Sequence, residues 1–287
     1  MQKDLSFRFG PLKESDLWSA LRLQARAQWN QTEQDWRRVM ELDPGGSFAA
    51  FDGGNVVGTT TTAAYGNDLA WIGMVIVGEE YRRRGIATRL MRSALDRLRG
   101  AGVSTIKLDA TPDGRSLYES LGFIPESLIE RWECGSVAGS ATDALKLDDR
   151  FRDNVFALDR LAFGADRSRL LRLLLDDACC HPLVSIDPAN GNVRGYALAR
   201  RGAKAFYVGP LIAVDEMVAA ALLDAMLDQL AGRKVYIDLN AGFAGGRSVL
   251  AARRFAKQRD LTRMRYGSAS TVDTSNLVFA IAGPELG

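Results

Sequence analysis

The sequence predicts an α/β fold in which one unit, a sheet flanked by helices, occurs twice in tandem. Three observations carry this. The chain has 287 residues, 47% apolar and 25% charged, a composition that buries cores rather than staying disordered, and its length suits about two domains of roughly 150 residues. Segments of helical periodicity alternate with short β-branched and aromatic runs. Two stretches of the second half also resemble two stretches of the first, in the same order.

Residues 6–12 read as a short strand. A helix follows from about Glu14, with Ser15 and Asp16 as N-cap candidates and an apolar face through Leu17, Leu21 and Ala25. A second helix fits 32–42, where Thr32 and Asp35 have the spacing of a capping box. Residues 45–66 form two strands joined by Asp52-Gly53-Gly54-Asn55, a turn whose chemistry supplies the positive φ angles of a hairpin. A buried strand over 69–77, an arginine loop, a helix over 85–99, a strand over 105–110 and a short helix ending at Gly122 complete the first half.

Residues 134–144, rich in Gly, Ser and Ala, have little apolar periodicity and read as a linker between domains 1–138 and 146–287. The second half then has a helical stretch at 151–177 and strands at 183–186, 195–200 and 205–213. A helix at 215–230, a strand at 234–239, a helix at 246–257 and strands at 262–266 and 277–282 follow. Residues 75–98 lie over 211–230 if the second stretch is shortened near Tyr81-Arg82-Arg83-Arg84, and 114–123 lie over 246–255. The chain reads as two copies of one fold, one of which has lost something.

Lys and Arg total 37 against 35 Asp and Glu, so the net charge of +2 gives no global reason to expect nucleic acid or an anionic membrane as a partner. Three cysteines, Cys134, Cys179 and Cys180, do not make a disulfide framework, and His181 as sole histidine leaves zinc few ligands. A reducing, cytoplasmic compartment and no metal are expected. The first residues lack the apolar core of a signal peptide, and no apolar stretch is long and uninterrupted enough to span a bilayer. The Cys179-Cys180-His181 string reads as inert thiols rather than a nucleophile with its base.

The informative stretch runs from Met74 to the helix after Gly85. A buried strand enters a loop with Arg82, Arg83 and Arg84, and Gly85 and Ala87 open the helix. Unpaired amides and the positive dipole end of that first turn favour an anion, small residues let a phosphate approach, and arginines add charge-assisted bonds. An arginine cluster is out of place at the positive end of a helix unless an anion is brought there.

Arg82-x-x-Gly85-x-Ala87 after this strand resembles the acyl-CoA signature of the GNAT superfamily of N-acetyltransferases. Leu117-Tyr118-Glu119-Ser120-Leu121-Gly122-Phe123 resembles its other characteristic segment. The resemblance covers about residues 5–133, and the second half is similar to the degenerate C-terminal domain of tandem GNAT proteins. It implies two tandem domains, each with a mixed, mostly antiparallel central sheet flanked by helices. It also implies that Val75, Ile76 and Val77 pair with the pantetheine of acetyl-CoA like an added strand. The amides of Arg83, Arg84, Gly85, Ile86, Ala87 and Thr88 would hold the pyrophosphate, with Arg82, Arg84 or Arg89 adding charge. Tyr118 matches the tyrosine that protonates the departing thiolate, a step suited to a phenol.

The sequence departs from the family pattern in two places. Thr111 stands where many members have an asparagine contacting the cofactor. The strand at 69–77 lacks the glutamate that serves several members as general base, leaving Asp109, Asp68 or water. Trp29 and Trp36, at the helix junction where the acceptor often binds in GNAT proteins, and Trp71 on the central strand are read as core rather than acceptor contacts by about two to one, and Arg253 and Arg254 as a solvated helix face. In the second copy Asp215 and Glu216 stand where a pyrophosphate would need positive potential, and Leu250 replaces Tyr118. That copy is expected to pack on the first and wall the acceptor site. The implied activity is acetyl transfer from acetyl-CoA to a primary amine of a small molecule or peptide; the alternative is a non-catalytic acyl-CoA sensor.

Overall fold

The structure, a computed structural model, describes residues 7–135, 144–176, 182–268 and 275–287. The first half contains β1 (Arg8–Pro11), α1 (Leu17–Arg26), α2 (Glu33–Leu42), β2 (Ser47–Asp52), β3 (Asn55–Tyr65), β4 (Leu69–Val77), α3 (Ile86–Gly100), β5 (Thr105–Ala110), α4 (Pro112–Ser120) and β6 (Ile124–Cys134). The second contains β7 (Leu145–Lys146), α5 (Arg152–Phe163), α6 (Ser168–Leu175), β8 (Leu183–Ile186), β9 (Val193–Arg200), β10 (Phe206–Ala213), α7 (Glu216–Gln229), β11 (Val235–Asn240), α8 (Gly246–Ala252), β12 (Ala256–Gly267) and β13 (Val278–Ala280).

Local chemistry sets most boundaries. The Thr32 N–H donates to Asp35 Oδ2 at 2.8 Å while the Asp35 N–H donates to Thr32 Oγ1 at 3.4 Å, closing the capping box of α2. Asp52 pairs with Asn55 across the turn, where Gly53 takes φ +59°. Asp16 accepts from the Lys13 N–H at 2.9 Å, capping a single 3-10 turn at Glu14–Asp16 rather than α1 itself. The helical stretch read over 151–177 is two helices, because Gly164 at φ +83° ends α5 with a left-handed residue. Most of the linker, 136–143, and Cys179, Cys180 and His181 lie outside the described residues.

The strands form one 13-stranded sheet in the order β1-β2-β3-β4-β5-β12-β6-β11-β13-β10-β9-β8-β7. Its ladders are antiparallel except β4–β5 and β10–β11. The strands of the halves alternate at the centre: β12 lies between β5 and β6, and β6 lies between β12 and β11. Each copy thus lends its long strand to the other. Ile129 faces Leu261 near the middle of the β6–β12 ladder, and these two residues are equivalent in the internal alignment, so the exchange has an approximate two-fold symmetry. Successive strand residues feed opposite faces. Ala70 and Ile72 pack with the Met91, Leu95 and Leu98 side of α3, whereas Leu69 and Trp71 join a core that includes Trp36, Leu170, Tyr196 and Leu286 from both halves.

Candidate active site

β4 pairs with β5 only through Leu69–Trp71 against Thr105–Lys107, and beyond Trp71 the two strands have no further ladder pairing. A bulge follows on the β3 side of β4. Met74 takes φ +50°, the register with β3 shifts between Thr59 and Thr61, and the Thr59 hydroxyl donates to the Met74 carbonyl at 2.7 Å. The gap opens into a cleft of about 740 Å³ lined on the β4 side by Gly73, Met74, Val75, Ile76 and Val77. Leu108, Asp109, Thr111, Leu117 and Tyr118 face them, and Arg259, Leu261, Pro284 and Glu285 come from the second half.

At one end of the cleft the chain turns into α3. Arg83 at φ +60° and Gly85 at φ +75° both take left-handed backbone, which a glycine tolerates and which turns amides outward. No side chain caps α3, and the space a side chain would fill at Gly85 is open. Arg82 and Ala87 line the cleft, and Arg82 Nε donates to the Val77 carbonyl at 3.4 Å. Arg84 donates to the Glu80 carbonyl at 3.0 Å, and Arg89 lies over the Phe9 ring at 4.1 Å. The Ile86 side chain is buried against Ala50, Val57 and Leu90, so only its backbone is available to a ligand. Arg83, Arg84, Gly85, Ile86 and Thr88 are not themselves part of the cleft lining.

Tyr118 is 8% exposed, packs edge-on against Phe123 and lines the cleft. Its hydroxyl has no hydrogen-bond partner among the described residues, and burial pushes its pKa up to about 12. Thr111, also in the lining, caps α4 through the Gly114 N–H. Asp109 is held by Arg263 in a two-pronged pair at 2.9 and 3.0 Å, and Asp68 is exposed in the turn before β4, away from the cleft.

The far end of the cleft carries charge. Arg131 is committed to Asp238 through bonds of 2.7 and 2.6 Å. Arg259 has an enclosed Nε without a partner among the described residues, and burial and Arg131 lower its pKa. Trp29 lines the cleft, whereas Trp36 and Trp71 are fully buried, the former donating to Gln24 Oε1 at 2.5 Å. Among the described residues there is no metal-holding group of His, Cys, Asp and Glu and no helix long and apolar enough to cross a membrane.

The acetyltransferase (GNAT) family model matches residues 14–123, and an acetyltransferase (GNAT) domain model matches residues 155–280. The uncharacterized N-acetyltransferase YitH of Bacillus subtilis is 30% identical over 222 residues, 74% of this chain and 75% of the relative. The chain belongs to the GNAT acetyltransferase family. It is an acyltransferase of tandem GNAT architecture. The holothin acyltransferase of a Pseudoalteromonas species is 24% identical over 229 residues, 76% of this chain and 74% of that protein. In fold, the chain is similar to a Pyrococcus horikoshii protein designated an acetyltransferase (TM-score 0.84, 24% identity, 98% and 96% of the two chains). It is also similar to a tandem GNAT protein from the clavulanic acid biosynthesis pathway (TM-score 0.66, 15% identity, 92% and 99%).

The second GNAT copy builds the same parts and closes them. β10 and β11 pair through Phe206–Val208 against Val235–Ile237 and then diverge, but β13 fills the gap, pairing Ala280 with both Leu211 and Leu239. Asp215 caps α7 by accepting from the Val218 N–H at 2.8 Å and bonds Arg194 at 2.5 Å. Leu250 is fully buried. Arg253 is not a solvated residue as expected: it grips Asp224 of α7 through two bonds of 2.6 Å and so ties α8 to α7.

Proposed function

We propose that the first GNAT copy (1–138) transfers an acetyl group from acetyl-CoA to a primary amine by direct attack on the thioester. The second copy (146–287) supplies part of the acceptor wall. The observation that carries this reading is that an uncapped helix end, a splayed strand and an unpartnered tyrosine hydroxyl open into one cleft. The donor fits these residues: the open Gly85 turn and the α3 amides suit a pyrophosphate, and Val75, Ile76 and Val77 offer edge backbone to a pantetheine.

Bound acetyl-CoA would supply the reactive thioester. Ala87 and Gly85 let the α3 amides approach the phosphates, Arg82 adds charge, and the strand edge fixes the pantetheine so that attack is effectively intramolecular. Tyr118 holds its proton until sulfur becomes a thiolate, then donates it. Its pKa of about 12 keeps it protonated across the working range, so Tyr118 should give no alkaline limb below that pH.

Acetyl-CoA-dependent thiol release with a panel of amines tests the reading. Tyr118→Phe should lower kcat about 10²- to 10⁴-fold with acetyl-CoA affinity nearly unchanged. Full activity in that variant would make Tyr118 a packing residue.

A further inference from the structure

Acetyl transfer to an amine, the reading this inference rests on, requires removal of a proton from an acceptor that is an ammonium ion near neutral pH. β4 carries no carboxylate. Of the carboxylates lining the cleft, Asp109 is locked by Arg263, while Glu79 and Asp113 are exposed, Glu79 on the phosphate side close to Arg82. The fourth, Glu285, reaches the cleft from the opposite half of the chain. Gly73 admits it: a side chain there would put a Cβ 2.6 Å from Glu285 Cα and 2.7 Å from its Cβ.

The segment is fixed by donors from several elements. Tyr65 Oη donates to the Leu286 carbonyl at 2.7 Å, and Arg167 Nη1 donates to the Gly287 carbonyl at 2.9 Å. On the carboxylate itself, Gln31 Nε2 donates to Oε2 at 2.8 Å and Arg200 Nη2 to Oε1 at 3.3 Å. Glu285 lines not only the cleft but also a second polar cavity of about 10 Å³, bounded by Asp35, Arg131, Arg200 and Tyr207. That is roughly the room one water needs.

We infer that Glu285 is the general base of the first copy, a catalytic carboxylate delivered to β4 by the second. It takes one proton from the ammonium, freeing the lone pair. The nitrogen forms a bond to the thioester carbonyl carbon, the C–S pair leaves on sulfur, and Tyr118 protonates the sulfur. The second departing N–H proton restores Tyr118, and Glu285 returns its proton to solvent through the polar cavity. Ammonium plus thioester thus gives amide, thiol and one proton.

The surroundings favour this role. Burial raises the pKa of Glu285 above the ordinary glutamate range, Arg200 opposes the rise and Asp35 adds to it. Arg38 neutralises part of Asp35, Arg131 stands across the small cavity, and Tyr65 and Tyr207 stay protonated because burial raises their own pKa values. A carboxylate with a raised pKa holds a transferred proton more firmly.

The test uses the full chain and three variants, Glu285→Gln, Glu285→Asp and Gln31→Leu. Calorimetry with acetyl-CoA, thiol release with the amine panel and hydrolysis without amine are followed over about pH 6 to 9. Glu285→Gln should keep acetyl-CoA affinity but lose about 10²- to 10⁴-fold in kcat/KM near neutral pH, with hydrolysis reduced as well. Its residual rate should climb with pH as free amine accumulates, whereas the wild type levels off above the Glu285 pKa. Glu285→Asp should recover part of the loss.

Gln31→Leu removes a donor to the ionised carboxylate, so its pKa rises and the acid limb moves to higher pH. If Glu285→Gln folds and stays within threefold of wild type in both reactions, or if Gln31→Leu leaves the limb in place, the assignment falls. If Glu285→Gln does not fold, the Gln31→Leu limb decides. Failure of the wild type to bind acetyl-CoA would instead overturn the acetyltransferase reading.

Discussion

The two wedges of the sheet, β4–β5 and β10–β11, start alike and end differently. In the first, backbone left unpaired past Trp71 faces a cleft, and α3 begins without a side-chain cap. In the second, β13 occupies the gap, and Asp215 supplies the negative charge at the start of α7. Each contact proposed for acetyl-CoA in the first copy, strand edge and helix end alike, has an intramolecular hydrogen-bonded substitute in the second. The difference shows how such a wedge can be closed by the chain while the fold is kept. An empty wedge leaves polar backbone without partners, and the chain itself fills that role.

This comparison can be broken most severely at Gly85. Gly85→Glu forces a side chain into left-handed backbone and sets a carboxylate where the pyrophosphate is proposed to sit, imitating Asp215. Calorimetry should then detect no acetyl-CoA binding, against one site per chain in the wild type; surviving binding would place the site elsewhere.

Removing the filler of the second wedge should cost stability. Phe279 on β13 is fully buried, edge-on to Phe243 with 5.2 Å between ring centroids. Phe279→Ala should lower unfolding free energy by about 3–5 kcal/mol in a denaturant titration. Acetyl-CoA should not enter the vacated space, because α7 remains capped. The smallest effect belongs to the cap: Asp215→Ala should cost about 1 kcal/mol, since the half-exposed pair with Arg194 adds little.

Much of the fold was legible because local chemistry governed it: the β2–β3 turn, the α2 capping box and β4 stand where the residues place them. β6 is hidden in the sequence because its alternation is masked. Its Glu126, Glu130 and Arg131 carry charge on both faces, and each has a partner, Lys107, Arg247 and Asp238 respectively. No local pattern encodes a strand exchange between segments so distant. Of the candidate site, Tyr118 and the Gly85 loop are proposed from motifs, and the fold brings Tyr118 into the cleft lining, while Trp29 and Trp36 divide between cleft and core only on folding. Glu285 lies past the last strand. Its one signal was Gly73, a residue without a side chain in a strand of bulky ones, which marks close approach by another backbone.

The exchanged strands also bear on how the protein is born. During synthesis, β5 emerges with the edge that β12 will cover still bare, and β12 is made only about 120 residues after β6, on the order of ten seconds later at ordinary elongation rates. Throughout that interval the nascent first half presents an unpaired edge to every neighbouring chain. An identical β6 on an adjacent ribosome, equivalent to β12 by the internal symmetry, is the best-matched wrong partner. Crowded translation is therefore the condition under which this duplication is most exposed to entanglement.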